Sequence, residues 1–450
     1  MNKRKNKYHN IVVLGGSESG TGAALLAIRN GLRVFVSDAG SIKPHYKLLL
    51  EQNNIPFEEN RHSGDIISQA DLIIKSPGIP DQASVFSYVT TADIVSEIEF
   101  ASWFTNAFII GITGSNGKTT TTLLTGFILK NAGLDICIAG NVGKSFAACL
   151  SESDHAIFVL ELSSFQLDGI VDFRANIAVI TNITPDHLDR YNGSFEAYAS
   201  SKLRITMNQT SDDALVYCAD DETSNIHINN HPISSKKYSF SIKNEESHHT
   251  GIVKQNSIYI NIPPNPFTMT IEELALQGRH NTYNSLAAGI SAKILGIRNE
   301  TVKQSMSDYQ NIAHRLEYVA NVHGVSYYND SKATNVNSTW YALEYFNRPI
   351  VWIAGGIDKG NDYSILIPLI RQKVKAIVCL GKDNQLIHEA FASHVKSIID
   401  VDSAEQAVAA ASFLAEKNYV VLLSPACASY DLFDNYEDRG NQYKQAVKSL

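Results

Sequence analysis

The chain has 450 residues, which is long enough for two to four domains that each bury a core, and we expect three. Apolar residues make up 44% of it and charged residues 19%, fractions that are typical of globular proteins and exclude a disordered or fibrous chain. The net charge of -8 argues against nucleic acid as a partner, and without an apolar run of membrane-spanning length we expect no membrane partner and a cytoplasmic location.

The first 106 residues are predicted to form a Rossmann-like α/β domain. Short apolar runs separated by helix-length stretches predict parallel strands with crossover helices, at residues 11–14, 33–36 and 71–74. The sequence GGSESGTG follows the first run and Asp38 follows the second, which is the layout of a dinucleotide-binding fingerprint. Ser17 stands where that fingerprint has its middle glycine, so the motif is weak by itself.

Residues 107–311 are predicted to form a central domain around a parallel, P-loop nucleotide-binding sheet. Its strands are predicted at residues 108–112, 156–160 and 177–180. Between residues 229 and 267, short alternating segments and three prolines predict a small antiparallel sheet attached to this domain. Residues 312–450 are predicted to form a second Rossmann-like domain, with strands at residues 350–354, 376–380 and 420–423.

The cysteines are scattered and have no CxxC spacing, which fits a reducing compartment in which thiols stay free. We expect them to be buried core residues rather than metal ligands. They are Cys137, Cys149, Cys218, Cys379 and Cys427.

The strongest motif is GITGSNGKTT at residues 111–120, between a predicted strand and a predicted helix. Its glycines let successive backbone N–H groups surround phosphate oxygens at a helix N-terminus. Lys118 is expected to reach the β- and γ-phosphates of ATP, and the Thr119 hydroxyl to bind magnesium. Ile112 replaces the first glycine of the general pattern, so the loop is a variant form. A glycine-rich turn that merely precedes Lys-Thr is the alternative interpretation.

Three residues further along the chain are candidates for the same site. Glu161 ends a predicted strand at the sheet edge where ligands bind, although such a Glu taken alone is equally consistent with a solvated strand end. His187 lies on the loop after the next strand, where a lone histidine is more often a surface residue. Lys202 lies on a predicted helix, and its spacing alone predicts a solvated lysine.

The motifs TGSNGKTT, ELSSFQL, TNITPDHLDRY, SSKLRI, GRHNTYNSLAA and HRLE occur together in this order. The set resembles the Mur ligases, and the resemblance covers all three predicted domains. The segments AGGIDKG, NDSKATN and LSPACASYDLFDNYEDRG are similar to those of the family members that add D-glutamate to UDP-N-acetylmuramoyl-L-alanine. The resemblance implies that ATP phosphorylates the substrate carboxylate and that D-glutamate displaces the phosphate, in peptidoglycan precursor synthesis and hence in cell shape and division.

The resemblance also implies roles for individual residues. Four are implied as catalytic: Lys118, His187, Lys202 and Arg315. Two Mg²⁺ ions are implied at Thr119, Glu161, His187 and Lys202, the last carrying a carbamate derived from CO₂. The ATP-binding set is Thr113, Gly114, Ser115, Asn116, Gly117, Lys118, Thr119, Thr120, Asn281, Asn284, Arg315 and Asp330.

The two other substrates are also assigned residues by the resemblance. The UDP-linked substrate is implied at Ser19, Gly20, Asp38, Ser76, Asn141 and His187. D-Glutamate is implied at Lys332, Thr334, Lys359, Ser429, Tyr430 and Tyr436. The family pattern has Leu and Phe in place of Tyr430 and Tyr436, a change expected to keep an apolar wall while adding hydroxyl groups. We expect a monomer.

Three other functions compete with this interpretation. An NAD-dependent dehydrogenase would explain the first domain but leaves the phosphate loop without a role. A regulatory or transport ATPase would use the loop without forming a bond. A sister ligase that adds another amino acid, or adds glutamate to folate, would share the central domain, and the C-terminal motifs argue against it.

Overall fold

The computed structural model describes residues 7–244, 248–309 and 313–450. The chain divides into two compact units, Met1–Tyr309 and Gln310–Leu450, and contains three sheets flanked by helices. The predicted α/β class is therefore confirmed, and every strand expected from an apolar run is present. The boundary predicted between residues 311 and 312 lies outside the described residues. Among the described residues, no helix has both the length and the apolar character that crossing a bilayer would require.

The first sheet is entirely parallel, with the order β3-β2-β1-β4-β5. Its strands are β1 (Asn10–Leu14), β2 (Arg33–Ser37), β3 (Phe57–Glu58), β4 (Leu72–Lys75) and β5 (Asp93–Ser96). Its helices are α1 (Glu18–Arg29), α2 (Pro44–Gln52), α3 (Gly64–Ser68) and α4 (Glu97–Ser102). The central strands are almost wholly apolar because helices cover both faces of the sheet.

The second sheet has nine strands in the order β14-β13-β12-β11-β10-β9-β6-β8-β7. They are β6 (Phe108–Thr113), β7 (Ile136–Gly140), β8 (Ile157–Glu161), β9 (Ile177–Ile180), β10 (Ala214–Cys218), β11 (Lys236–Ser241), β12 (Gly251–Lys254), β13 (Ser257–Ile260) and β14 (Phe267–Thr270). Strands β12, β13 and β14 pair antiparallel, whereas β11 is parallel to both β10 and β12. The predicted antiparallel strands therefore extend the central sheet instead of forming a sheet of their own.

Seven helices flank the second sheet among the described residues. They are α5 (Lys118–Asn131), α6 (Phe146–Glu152), α7 (Ser164–Asp168), α8 (Phe195–Leu203), α9 (Glu222–Asn230), α10 (Arg279–Ile294) and α11 (Asn299–Asp308). Helix α6 packs against α1, so the first two sheets share a hydrophobic core. That shared core is why both sheets belong to one compact unit.

The third sheet, in the second unit, has the order β15-β16-β20-β17-β18-β19. Its strands are β15 (Glu317–Val322), β16 (Val325–Asn329), β17 (Ile350–Ala354), β18 (Val374–Leu380), β19 (Ile398–Val401) and β20 (Val420–Leu423). Only the edge strand β15 is antiparallel to its neighbour. Its helices are α12 (Val336–Tyr345), α13 (Ile367–Lys373), α14 (Gln385–Phe391), α15 (Ala404–Leu414) and α16 (Tyr436–Lys448).

Strand β6 lies between β8 and β9 in the second sheet, so the loops that follow these three parallel strands meet at one edge. In the register of this pairing, Ile112 lies beside Glu161. The carboxyl ends of parallel strands are the usual ligand-binding edge of such a sheet. The phosphate-loop motif, Glu161 and the loop that carries His187 are therefore brought together.

Candidate functional site

The loop between β6 and α5 has a backbone that only glycine can adopt at two points. Gly114 and Gly117 have φ values of +147° and +82°. A Cβ atom on Gly114 would lie 1.9 Å from Thr181 Oγ1, and one on Gly117 would lie 2.3 Å from Asn284 Oδ1. At these two glycines the backbone of the loop therefore packs directly against neighbouring side chains. Helix α5 begins immediately after the loop, at Lys118. The exposed N–H groups of a helix N-terminus can bind phosphate oxygens.

The two residues expected to act on phosphate and metal lie in the first turn of α5. Lys118 is half-buried, and its ammonium donates hydrogen bonds to the carbonyl oxygens of Gly114 (2.9 Å) and Ser115 (3.0 Å). Thr119 is buried, as is Thr120 beside it. The lysine charge is therefore held directly over the loop.

Asn182 supports the loop and was not singled out from the sequence. Its side chain makes two hydrogen bonds to one loop residue, because Asn116 N–H donates to Oδ1 (2.9 Å) and Nδ2 donates to the Asn116 carbonyl (3.0 Å). The carbonyl of Asn182 also accepts from Ser115 N–H at 2.8 Å. The sequence offered one signal for this role: Asn182 lies just after β9, in the segment TNIT.

Two further residues, Thr184 through its backbone and Tyr198 through its side chain, hold the loop through Ser115. The Ser115 hydroxyl donates to the Thr184 carbonyl (2.8 Å) and hydrogen-bonds with the Tyr198 hydroxyl (3.0 Å). Tyr198 is 1% exposed and belongs to α8, the helix that also carries Lys202. The conformation of the phosphate loop thus depends on residues from the loop after β9 and from α8.

Asn281 and Asn284, both predicted to contact the nucleotide, lie at the start of α10 next to the loop. Asn284 Oδ1 accepts a hydrogen bond from the Thr121 hydroxyl (3.3 Å), and Nδ2 donates to Asn281 Oδ1 (3.2 Å). Asn284 is also the residue that excludes a side chain at Gly117. Both asparagines are therefore within reach of the phosphate loop.

Glu161 is the last residue of β8 and is only 2% exposed. Its Oε1 accepts a hydrogen bond from Asn141 Nδ2 at 2.7 Å, and its backbone carbonyl accepts from Asn141 N–H at 2.9 Å. Asn141 was predicted to contact the diphosphate of the UDP-linked substrate. The structure places it beside the carboxylate of Glu161, at the edge of the second sheet.

Lys202 lies on α8 and is 2% exposed, so the solvated lysine that its spacing suggested is wrong. Its Nζ donates to the Gly114 carbonyl at 2.8 Å and lies 4.5 Å from the centre of the Tyr198 ring. Burial lowers the pKa of this amine well below its usual value, and the charge of Lys118 lowers it further. Nearby carboxylates, including Glu161, act in the opposite direction.

His187 lies on the loop after β9 with a left-handed backbone, φ 53°. Its Nε2 is 3.7 Å from Asp186 Oδ2, and its ring packs edge-on against Phe165 at 5.3 Å. The side chain is 37% exposed. The loop that carries it follows β9, which lies in the same sheet as β8, the strand that ends at Glu161.

The donor atoms at this edge fit magnesium. Thr119 offers a hydroxyl and Glu161 a carboxylate, which are the hard oxygen ligands that Mg²⁺ prefers. Lys202 lies close enough to Glu161 for the carboxylate charge to raise the pKa of its amine. An oxygen anion carried on Lys202 would complete an oxygen-rich set, whereas the bare amine would not.

A cavity of about 480 Å³ opens at the edge of the first sheet. Its lining includes three residues predicted to hold the UDP-linked substrate, Ser19, Asp38 and Ser76. Asp38 shapes the loop after β1, because its Oδ2 accepts from Gly16 N–H at 2.6 Å. Gly20 acts through close packing, since a Cβ there would lie 1.8 Å from the Gly15 carbonyl oxygen.

Arg190 connects this cavity to the central sheet and was missed at the sequence level. Its guanidinium donates to the carbonyls of Gly78 (3.3 Å), Pro77 (3.2 Å) and Ile79 (3.4 Å), all three of which line the cavity. It also lies 4.4 Å from the centre of the Phe165 ring. The loop that carries His187 is thereby tied to the Ser76-Pro77-Gly78 loop.

In the second unit, Asp330 is 5% exposed and follows β16. Its Oδ1 accepts from Leu316 N–H (3.1 Å) and its Oδ2 from the Ser424 hydroxyl (2.9 Å). Burial raises the pKa of this carboxyl to about 7, against the opposing charge of Arg315. Arg315 is half-buried, and the structure records no hydrogen-bond partner for its Nε among the described residues.

The residues predicted for D-glutamate follow the ends of β16, β17 and β20. Lys332 Nζ lies 5.1 Å from the centre of the Tyr436 ring, a cation–π contact. Thr334 and Lys359 are half-buried and Ser429 is buried. Tyr430 is 71% exposed, and Tyr436 is half-buried.

Comparison with known proteins identifies the family. Three family models match the chain: the MurD N-terminal domain at residues 10–85, the Mur ligase middle domain at residues 112–292, and the Mur ligase glutamate ligase domain at residues 314–427. A UDP-N-acetylmuramoylalanine--D-glutamate ligase from Christiangramia forsetii is 50% identical over 98% of this chain and 99% of its own length.

Solved structures share the fold at low identity. UDP-N-acetylmuramate-alanine ligase MurC from Thermotoga maritima aligns with a TM-score of 0.63 and 19% identity, over 98% of this chain and 99% of its own. MurF ligase from the same organism, solved in complex with ADP, aligns with a TM-score of 0.61 and 15% identity, over 92% and 95% of the two chains.

Proposed function

This chain belongs to the Mur ligase family, and we propose that it catalyses the ATP-dependent ligation of D-glutamate to UDP-N-acetylmuramoyl-L-alanine. One observation carries the proposal from the structure: Lys118 and Lys202 both donate to the Gly114 carbonyl, while Glu161 stands at the adjacent strand end. That arrangement suits phosphoryl transfer to a carboxylate. The 50% identity to a D-glutamate ligase supports the choice of substrates.

The reaction needs ATP because a carboxylate is a poor electrophile without a leaving group. A carboxylate oxygen of the L-alanyl group attacks the γ-phosphorus of ATP, and ADP leaves. The amine of D-glutamate then attacks the acyl carbon, the carbon–oxygen bond to phosphate breaks, and the amine loses a proton. Negative charge builds up on the transferring group, so preorganised cations are the main catalytic requirement.

The phosphate loop and Lys118 would meet that requirement at the nucleotide. Backbone N–H groups at the start of α5, from Gly117 to Thr119, would bind the β- and γ-phosphate oxygens, and the Lys118 ammonium would leave its carbonyl partners to neutralise the transferring phosphoryl group. Asn281 and Asn284 would line the nucleotide from α10. Asn182 would keep the loop in shape without touching ATP.

Mg²⁺, when bound, would neutralise the phosphate charge and polarise the transferring group. Thr119 and Glu161 would hold one ion and His187 and Lys202 a second, with Lys202 carbamylated. In its neutral form the buried Nζ would attack the carbon of CO₂ and lose a proton to solvent, which leaves an oxygen anion. Burial of Lys202 supports this step because only the neutral amine is nucleophilic.

The cavity at the first sheet is suited to the uridine nucleotide of the second substrate. Ser19, Asp38 and Ser76 offer polar atoms on its wall. Arg190 would orient the substrate indirectly, through the carbonyls it holds in the 77–79 loop. Asn141, beside Glu161, would meet the end of the substrate that reaches the metal site.

The second unit would supply the remaining groups. We assign Arg315 to the γ-phosphate and Asp330 to the ribose of the nucleotide. Lysines suit the two carboxylates of D-glutamate, and Lys332 and Lys359 would bind them together with Thr334 and Ser429. The use of ATP and of a nucleotide-linked precursor favours a cytoplasmic reaction in cell-wall synthesis, with consequences for cell shape and division; a monomeric state stays a prediction.

A substrate-panel assay tests the proposed function. Phosphate release from ATP should require both UDP-N-acetylmuramoyl-L-alanine and D-glutamate, and the product should gain one glutamyl residue by mass. Turnover with L-lysine, L-alanine or L-glutamate in place of D-glutamate would contradict the substrate assignment. Phosphate release without any amino acid would point to an ATPase, and tight binding of NADH with no ligation would point to a dehydrogenase.

A further inference from the structure

A cysteine, a histidine and an aspartate meet at the edge of the third sheet, in the second unit. Cys379 lies near the carboxyl end of β18, and Asp400 lies on β19. His388 lies on α14, the helix that connects these two strands. One potential ligand atom from each residue lies within 4.8 Å of the other two. None of the three has a role in the ligation proposed above.

The sheet register explains why the three side chains converge. Cys379 and Asp400 are direct partners in the parallel pairing of β18 with β19, so their side chains lie on the same face. Helix α14 crosses that face because it connects the two strands. His388 Nε2 lies 3.0 and 3.1 Å from the two carboxylate oxygens of Asp400.

The chemistry of this set matches one class of ion. A thiolate, an imidazole and a carboxylate are all ligands of Zn²⁺, which in open sites takes three protein ligands and a water. A tetrahedral ion about 2.0–2.3 Å from its ligands needs ligand atoms roughly 3.3–3.8 Å apart. The observed spread of up to 4.8 Å requires only a small movement of the exposed His388 and Asp400 side chains.

Access also fits an ion entering from solvent. Cys379 is fully buried, while the side chains of His388 and Asp400 are 38% and 56% exposed and line a cavity of about 670 Å³. Asn384 lines the same cavity and donates to Asp400 Oδ1 at 3.0 Å, which is the kind of outer contact that orients a ligand. Cys379 is not one of the lining residues, so its sulfur would be the buried ligand behind the two ligands on the cavity wall.

We propose that Cys379, His388 and Asp400 form a zinc-binding site with one coordination position open to the cavity, which for Cys379 replaces the expectation that the cysteines are not metal ligands. The site lies outside the ATP, magnesium and substrate residues and is independent of the proposed ligation. The thiol releases its proton to solvent as the zinc–sulfur bond forms.

An ion here would join β18, β19 and α14 through their side chains. It would also fix the segment from Lys382 to Asn384, which lines both this cavity and a second one of about 360 Å³ at the same sheet edge. We therefore expect zinc to raise the melting temperature of the full chain.

Cobalt and zinc binding to the metal-free full chain test the site, with excess Mg²⁺ present to occupy the magnesium ligands. One equivalent of Co²⁺ should produce a thiolate charge-transfer band. That band should disappear in Cys379→Ser. Competition with a chromophoric chelator should show zinc binding at least about tenfold weaker in His388→Ala and in Asp400→Asn.

His394→Ala is the matched control, because this histidine lies six residues after His388 and contacts Arg371 and Ser393 instead of the cluster. It should bind zinc like the unmodified chain. Circular dichroism and thermal melting would verify that each variant folds. Absence of the charge-transfer band in the folded chain, its persistence in Cys379→Ser, or equal weakening by His394→Ala would each overturn the proposal.

Discussion

Lys202 Nζ donates a 2.8 Å hydrogen bond to the carbonyl oxygen of Gly114, so a buried lysine from α8 lies directly on the phosphate loop. Lys118 donates to the same carbonyl at 2.9 Å from the other side. Two amines thus meet at one backbone oxygen, with the carboxylate of Glu161 at the neighbouring strand end. Because the two lysines have different surroundings, we expect their substitution by alanine to have different effects on activity.

We expect Lys202→Ala to reduce kcat by about 10³-fold, since it removes the proposed oxygen ligand of the second metal ion. Acetate or formate should restore part of this activity by occupying the space of the carbamate. Lys118→Ala should reduce kcat at least as much. Neither anion should restore its activity, because the group that this variant lacks is a cation. Steady-state phosphate release with added carboxylates measures both; no recovery of Lys202→Ala would count against carbamylation.

Asn182→Ala should raise the KM for ATP by about tenfold. The substitution removes both side-chain hydrogen bonds to Asn116, which are worth about 1 kcal/mol each in loop positioning. Asn208→Ala is a matched control, because Asn208 also donates twice to backbone carbonyls, those of Val171 and Phe173, away from the loop. If both variants raise the KM for ATP equally, Asn182 has no special role in the loop.

Arg190→Ala should raise the KM for the UDP-linked substrate by about tenfold and change the KM for ATP less than about twofold. The reason is that its guanidinium holds three carbonyls of the cavity wall and none of the phosphate loop. Arg190→Lys keeps the charge but lacks the planar set of donors, so we expect little recovery. Initial rates with each substrate varied would decide; an equal increase in both KM values would contradict this role.

Glu97 should make folding stability depend on pH. It is 1% exposed, and its Oε1 accepts from Ala147 N–H at 2.5 Å. Burial raises its pKa from 4.5 to about 8. Between pH 4.5 and 8 this carboxyl is ionised in the unfolded chain but keeps its proton in the folded chain. The contribution of Glu97 to the free energy of unfolding therefore falls as pH rises, by up to about 1.4 kcal/mol per pH unit. The contribution levels off above pH 8.

Glu97→Gln should remove that slope, so the variant should gain stability relative to the unmodified chain as pH rises from 5 towards 8. Urea unfolding at several pH values measures the difference. Glu99→Gln is the control, because Glu99 accepts hydrogen bonds from the backbone N–H groups of Val171 and Phe173 and from the Trp103 indole, and it should lose stability at every pH. A pH-independent difference for Glu97→Gln would show that this carboxyl stays ionised.

Much of the fold follows from local patterns that the sequence displays directly. Apolar runs bounded by glycine and polar residues located the strands, because a strand covered on both faces must be apolar throughout. The loop at residues 111–120 was recognised by its glycines and its position between a strand and a helix, and the family was recognised from motifs in a fixed order. Each of these signals is contained within a short stretch of chain.

Only the tertiary structure decided which side chains meet. The spacing of Lys202 along its helix predicts a lysine exposed to solvent. It is buried instead, because Tyr198 of the same helix packs against the phosphate loop. Asn182 and Arg190 act through backbone groups distant in sequence, and Cys379 meets Asp400 only through the pairing of β18 with β19. Strand order sets these contacts, and it depends on packing of the whole chain rather than on local periodicity.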